Sequence, residues 1–191
     1  QWINPQHPYY QEAFPVPKRD IAKAKALMKE AGVTGRLAID FIVVNTPETR
    51  AVAEVLQSMA AEAGFDLKIR VTEFATSLKQ AEDGEFQIFL IGWSGRSDPD
   101  GNSYSFHTCK SPQNNSNYCD PDVDAAHNEA RLKSDPAERK KAYEKVAAKY
   151  LAEGPIKYLY HVQVLVAHSD RLENYTQMPD GLVRFIGLKL K

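Results

Sequence analysis

The sequence has little that would tie it to a charged polymer or a bilayer. Its 24 basic residues are balanced by 25 acidic ones, so no cationic excess is available to hold nucleic acid. No apolar run approaches the roughly 20 residues of a membrane-spanning helix. Internal repeats and low-complexity tracts are also missing. No leader precedes the first residue either, and because Gln1 is not a natural start the chain reads as mature or trimmed. Cysteine is scarce. Cys109 and Cys119 lie close together in a polar stretch. In a reducing compartment that closeness is coincidence, whereas in an exported protein it reads as one small disulfide.

Several chemistries fail for want of partners. His107, Cys109 and Cys119 lack the tight Cys pairs that hold zinc, and a fourth ligand would have to come from far away. Asp98, Asp100 and Asn102 alternate like calcium ligands, but the sixth and twelfth positions of that pattern are Ser103 and Cys109, not Gly and Glu. Ser94 sits between Trp93 and Gly95, which leaves the Gly-x-Ser-x-Gly elbow incomplete. None of the five histidines is tied to a nucleophile. The sequence therefore reads as no metal site, no cofactor and no catalytic residue, with Asp98 as base of a small hydrolase the weaker enzymatic alternative.

What is present is an α/β pattern. Residues 1–19, with Pro5, Pro8, Pro15 and Pro17, read as an irregular arm lying on a surface. Asp20 caps a helix whose apolar face is Ile21, Ala24, Leu27, Met28 and Ala31, ending at Gly32. "LAIDFIVV" (37–44) reads as a strand covered on both faces. Thr46-Pro47 starts a helix with Val52, Val55, Leu56, Met59 and Ala63 on one side. "DLKIRVTEF" (66–74) alternates as a strand with one wet face, a short helix follows around Ser77 to Ala81, and "FQIFLIGW" (86–93) reads as a buried strand. Strand–helix–strand–helix–strand implies right-handed crossovers and a mostly parallel sheet flanked by helices. Ligands usually bind such sheets just beyond the strands' carboxyl ends, where Asn45–Thr46 and Ser94–Asp100 fall.

In the second half, Asp120-Pro121 opens a helix carrying Val123, Ala126 and Ala130, and Asp135-Pro136-Ala137-Glu138 opens another that runs to about Ala152. Residues 156–168 read as a strand, and "RFIGLKL" (184–190) as a final short one.

The candidate contacts cluster at the sheet edge. Trp93 is either core or a flat stacking surface beside a polar loop. Arg96 offers a planar fork to a carboxylate or phosphate, or pairs internally with Asp98 or Asp100. Asn45 and Thr46 can face the same ligand, and Arg50 can reach it from the first helical turn.

The order of "DIAKAKALMKEAGV", "ETRAVAEVLQSMAAEAGFDLKI", "FQIFLIGWSGRSDPDGNSYSF", "SNYCDPDVDAAHNEARLKSDPAERKKAYEKVAAKYLAEGP" and "PDGLVRFIGLKL" resembles the carboxyl-terminal part of a family 5 extracellular solute-binding protein. These are the receptors of peptide, nickel and opine ABC importers. The resemblance implies a periplasmic binding protein-like fold of two α/β lobes that close on a solute without chemistry. It implies that residues 20–164 form most of the second lobe, that 165–191 return through a hinge to the first, and that the first lobe's main body is missing. The implied partners are a peptide-like or other small solute and an ABC permease in the inner membrane. An opine, a sugar phosphate or a metal chelate is the alternative ligand, and a purely structural α/β interaction domain the alternative role. In dipeptide-binding relatives a Thr-Gly-Asp follows the Gly-Trp, and its carboxylate takes the peptide's amino group. Trp93 matches the tryptophan, but Arg96 stands where the acid would be. Either Asp98 takes over, or the ligand presents an anion or hydroxyls there. Relatives also carry cysteines flanking Ser-Asn-Tyr, which implies the Cys109–Cys119 disulfide and a periplasmic location.

Overall fold

The computed structural model describes residues 1–178 and 181–191. They form two compact units, one of Pro15–Trp93 and one of Gln1–Phe14 with Ser94–Lys191.

The first unit alternates α1 (Ile21–Glu30), β1 (Leu37–Val44), α2 (Pro47–Ala61), β2 (Phe65–Thr72), α3 (Phe74–Glu82) and β3 (Ile88–Leu90). Its sheet has the order β2-β1-β3, and both pairings are parallel. The α/β class and the parallel sheet expected from the sequence are thus present. β1 is central because it alone has neighbours on both sides, and its second half is buried on both faces: Phe41 and Val43 on one, Ile42 and Val44 on the other. Three caps set the helices locally. Asp20 accepts from the Lys23 amide, Thr46 from the Thr49 amide, and Glu73 from the Ala75 and Thr76 amides.

Three apolar assignments differ from the sequence expectation. Val55 and Met59 of α2 are 58% and 40% exposed, and the inner face is instead Ala53, Leu56 and Ala60 against Phe41, Val43 and Leu67. Two adjacent stripes of α2 both satisfy helical spacing, and the one bearing alanine wins because it lets the helix approach the sheet closely. The helix α1 buries no residue, and Leu27 is more than half exposed. Finally, β3 shrinks to Ile88–Leu90, because β1 offers it only Phe41–Val43 as partners. Ile91 and Trp93 are exposed rather than buried.

The second unit is built on α5 (Pro121–Leu132) and α6 (Pro136–Glu153), preceded by the short α4 (Tyr104–His107). Val123, Ala126 and Ala130 pack with Ala142, Tyr143, Val146, Ala147 and Tyr150, so that small residues let the tyrosines fill the centre. Trp2 and Ile3 are only 5% and 3% exposed and belong to this core. Residues 1–19 carry no helix or strand, and Trp2 and Ile3 are packed in because two large apolar side chains gain more by burial than the arm loses in freedom.

No ladder forms over 156–168 among the described residues. Ile156 and Tyr158 pack against the second unit's core, whereas Tyr160, Val162, Val164 and Val166, which continue the alternation, are exposed. Alternation supplies strand character, but a strand needs a partner to hydrogen-bond. The closing strand likewise reduces to β5 (Lys189–Leu190), paired antiparallel with β4 (Leu172–Glu173), while Phe185 and Ile186 are exposed. Pro179 and Asp180 of the closing stretch lie outside the described residues.

Candidate functional site

At the carboxyl edge of the sheet, Asn45 follows β1 and Trp93 lies three residues beyond β3. Trp93 is 45% exposed, so much of its ring is open to solvent. Thr46 is spent on its own helix: its Oγ accepts from the Thr49 amide at 3.2 Å and lies 2.9 Å from the Thr49 hydroxyl. Arg50 reaches back from the first turn of α2 and donates to Asn45 Oδ1 at 2.7 Å. The sequence-predicted Asn45, Thr46 and Arg50 therefore form one polar group at the end of β1.

In the second unit, the loop from Ser94 is folded on itself. Gly95 takes φ +76°, a backbone open to glycine. Arg96 Nη1 donates to the Gly95 carbonyl at 2.7 Å and to Ser94 Oγ at 3.0 Å. Asn102, 6% exposed, grips the Arg96 backbone from both sides: its Oδ1 accepts from the Arg96 amide at 2.7 Å and its Nδ2 donates to the Arg96 carbonyl at 2.8 Å. Gly101 makes room for this grip, since a Cβ there would meet Arg96 Cγ at 2.9 Å.

The acids of the loop pair elsewhere than with Arg96. Both Asp98 oxygens accept from the two terminal nitrogens of Arg139 at 2.7 Å, and Asp98 Oδ1 also caps the 3-10 turn Pro99–Asn102 through the Asp100 amide at 2.8 Å. The Arg139 bonds hold the Asp98 carboxyl below its ordinary range, against the opposing pull of burial. Asp100 lies 3.1 Å from Arg131. The calcium-like spacing is thus explained as a capped turn pinned by two arginines. The zinc reading fails on the cysteines, which are bonded to each other.

Sequence reasoning did not find Asn102, Arg139 or Arg131 in these roles. Asp98 and Arg139 are 41 residues apart, and no local pattern connects them. It also missed a buried polar chain in the same unit. His107 Nδ1 lies 3.2 Å from His127 Nε2, and His107 Nε2 lies 2.7 Å from the Tyr158 hydroxyl. His107 stacks on Tyr150 with ring centroids 3.6 Å apart and meets the edge of Trp2. Both histidines are fully buried. Burial, with the neighbouring His127, pushes His107 well below the usual imidazole range, and burial with Arg131 lowers His127 to about 4. The only sequence signal for this was the position of His127 beside Ala126 and Ala130 on the apolar face of α5.

Comparison with known proteins bears on the whole arrangement. Residues 1–116 match the family described as bacterial extracellular solute-binding proteins, family 5 Middle. The chain is 33% identical over 168 residues to di/tripeptide-binding protein 4 of Pseudomonas aeruginosa, covering 84% of this chain and 32% of that protein. Among solved structures, HbpA2 from Haemophilus parasuis superposes with a TM-score of 0.76 at 26% identity, over 97% of this chain and 39% of that one. The periplasmic binding protein DppA from Helicobacter pylori, in complex with the peptide STSA, superposes with a TM-score of 0.70 at 27% identity, over 80% of this chain and 31% of that one. The chain spans about a third of the length of the curated relatives it matches.

Proposed function

The chain belongs to the family 5 bacterial extracellular solute-binding proteins, and from that premise we propose that it is part of the substrate-binding component of an ABC importer, taking a peptide-like solute. The family is one of receptors rather than enzymes. In this reading the protein works outside the cytoplasm, in the periplasm. Residues 20–164 belong to one lobe and 165–191 return toward another, absent from this chain, and the assembled receptor hands its solute to a permease in the inner membrane. Selection operates through differential affinity of open and closed states, with no bond broken. Among the described residues no helix is long and apolar enough to cross a membrane.

The observation that carries the proposal is the exposed Trp93 at the carboxyl edge of a parallel sheet, continuing into the polar turn Ser94–Gly95–Arg96. In the first unit an indole at a sheet edge gives a stacking surface; in the second, the Ser94 and Gly95 amides and the Arg96 side chain offer directional donors. Asn45 and Arg50 add a second polar group at the end of the neighbouring strand. Thr46 contributes to α2 as its cap. Asp98 has its charge matched by Arg139, so we do not assign it the ammonium group of a free peptide. Arg96 instead suits a carboxylate, a phosphate or hydroxyls. This favours a peptide presenting an anionic group, and keeps an opine, a sugar phosphate or a metal chelate as the second reading.

Trialanine and its aspartate-containing analogue Ala-Asp-Ala serve as probes for the full-length receptor. In calorimetry, Trp93→Ala is expected to weaken the better of the two by about tenfold or more, the scale of one lost aromatic contact. Arg96→Ala should weaken Ala-Asp-Ala more than trialanine. Unchanged affinity in both variants would reject this edge as the binding surface. Residues 1–191 alone are expected to bind the same peptide at least about a hundredfold more weakly than the full receptor. Equal affinities would reject the two-lobe reading.

A further inference from the structure

We propose that Arg139 is a positioning residue for the Ser94–Asp98 loop, acting through Asp98 and Asn102 to fix the backbone of Arg96. The proposal rests on the reading of that loop as a solute contact, and it adds a residue that lies outside the loop itself.

The geometry forms a continuous relay within one unit. Arg139 is well held: its side chain is 17% exposed, its Nε donates to the Ala130 carbonyl at 3.2 Å, and its Nη2 donates to the Tyr143 hydroxyl at 3.2 Å. The rings of Tyr9 and Tyr143 each lie 5.5 Å from its guanidinium carbon. From this anchored position both terminal nitrogens reach Asp98 at 2.7 Å. Asp98 in turn caps the Pro99–Asn102 turn, and its carbonyl accepts from Asn102 Nδ2 at 3.4 Å. Asn102 closes the relay by bonding the amide and carbonyl of Arg96. Gly101 leaves no room for a side chain beside the relay, because a Cβ there would meet Arg96 Cγ at 2.9 Å and Arg96 Cβ at 3.0 Å.

The chemistry requires arginine. A guanidinium offers five donors in a fixed plane, enough for the carboxylate, the Ala130 carbonyl and the Tyr143 hydroxyl together. A lysine keeps the charge but is a single point, unable to hold the carboxylate in one orientation. Loss of orientation at Asp98 releases the turn, then Asn102, then the Arg96 backbone.

The test uses Arg139→Lys and Asp98→Asn in the full-length receptor, with hydrogen exchange of the Arg96 amide and calorimetric affinity for trialanine and Ala-Asp-Ala. In either variant the Arg96 amide should exchange about tenfold faster or more. Affinity for the peptide bound by the wild type should fall about tenfold, while amides in the middle of α6 keep their protection. Combining the two substitutions should add nothing further, since both cut the same relay. Unchanged Arg96 protection in Arg139→Lys overturns the proposal, and so does additivity of the two substitutions. Faster exchange without loss of affinity overturns the link to binding. A wild-type receptor that binds neither peptide, yet shows the Arg96 amide released by Arg139→Lys, rejects the peptide reading and retains the positioning role.

Discussion

Acidification from pH 6.5 to about 4 is expected to lower the folding stability of this chain by about 3 kcal/mol through His127 alone. In the folded state burial holds this imidazole neutral down to about 4. In the unfolded chain it takes a proton near 6.5. Over the interval between the two values the unfolded state therefore binds more protons, and stability falls as pH falls. Above 6.5 both states are neutral and the effect vanishes; below about 4 both are charged and it levels off. His107 and His161, also lowered by burial, act in the same direction. The carboxylates of Asp98, Asp120 and Glu129 are lowered as well, chiefly by hydrogen bonds from Arg139, Lys149 and Lys145 respectively. Their contribution is lost only as pH falls below the ordinary carboxylate range, so the histidines govern the higher window.

The groups facing the pair account for its neutrality. Trp2, Tyr150 and Tyr158 surround His107, Tyr104 and Tyr143 present ring edges to His127, and Arg131, seated on the Tyr104 ring, is the charge that opposes protonation of His127. His127 Nδ1 is buried without a hydrogen-bond partner, so a proton placed there meets no acceptor. Urea unfolding followed across this pH range should show the loss in the wild-type chain. His127→Gln, which cannot titrate, should flatten much of the slope while lowering the plateau. An unaltered slope in that variant would mean that the acid sensitivity arises elsewhere.

Replacement of Cys109 and Cys119 by serine should destabilise the chain by about 2.5–3 kcal/mol, the loop-closure entropy of a segment of this size. The loop is short, with a sequence separation of 10 and Cα atoms 4.4 Å apart. Its interior is also organised without sulfur: Asn114, 7% exposed, donates to the Thr108 and Tyr118 carbonyls, and Asp124 of α5 accepts from the Cys109 amide at 3.0 Å. Because the bridge joins the end of α4 to the start of α5, releasing it loosens the segments that carry His107 and His127. A double serine variant should therefore unfold at lower urea and become more sensitive to acid. A midpoint equal to that of the oxidised chain would assign the ordering of the loop to Asn114 rather than to the bridge.

Stabilities of ordinary domains are small enough that either loss is a large share of the total. The disulfide was legible in the sequence, since its effect follows from the separation of Cys109 and Cys119; the acid sensitivity was not. His127 shares the apolar face of α5 with Ala126 and Ala130, but only docking of α4 brings His107 against it, and the chain marks His107 no differently from His7.

The sequence by itself determined the elements whose causes are local. Asp20, Thr46, Asp120 and Asp135 each bond amides two or three residues ahead, so four helix starts can be read from one turn of chain. The apolar run of β1 and the alternating pattern of β2, separated by a capped helix, sufficed for a parallel pair. Trp93 and its polar turn were visible because a hydrophobic strand gave way abruptly to Gly, Ser and Arg. Tertiary structure alone decided matters set by partners distant in the chain. It chose which stripe of α2 faces the sheet, placing Ala53, Leu56 and Ala60 inward and leaving Val55 and Met59 exposed. It left 156–168 without a ladder among the described residues, since alternation cannot provide the neighbouring strand. It also gave Asp98 to Arg139 rather than to Arg96, because only packing of α6 brings an anchored guanidinium within 2.7 Å of that carboxylate.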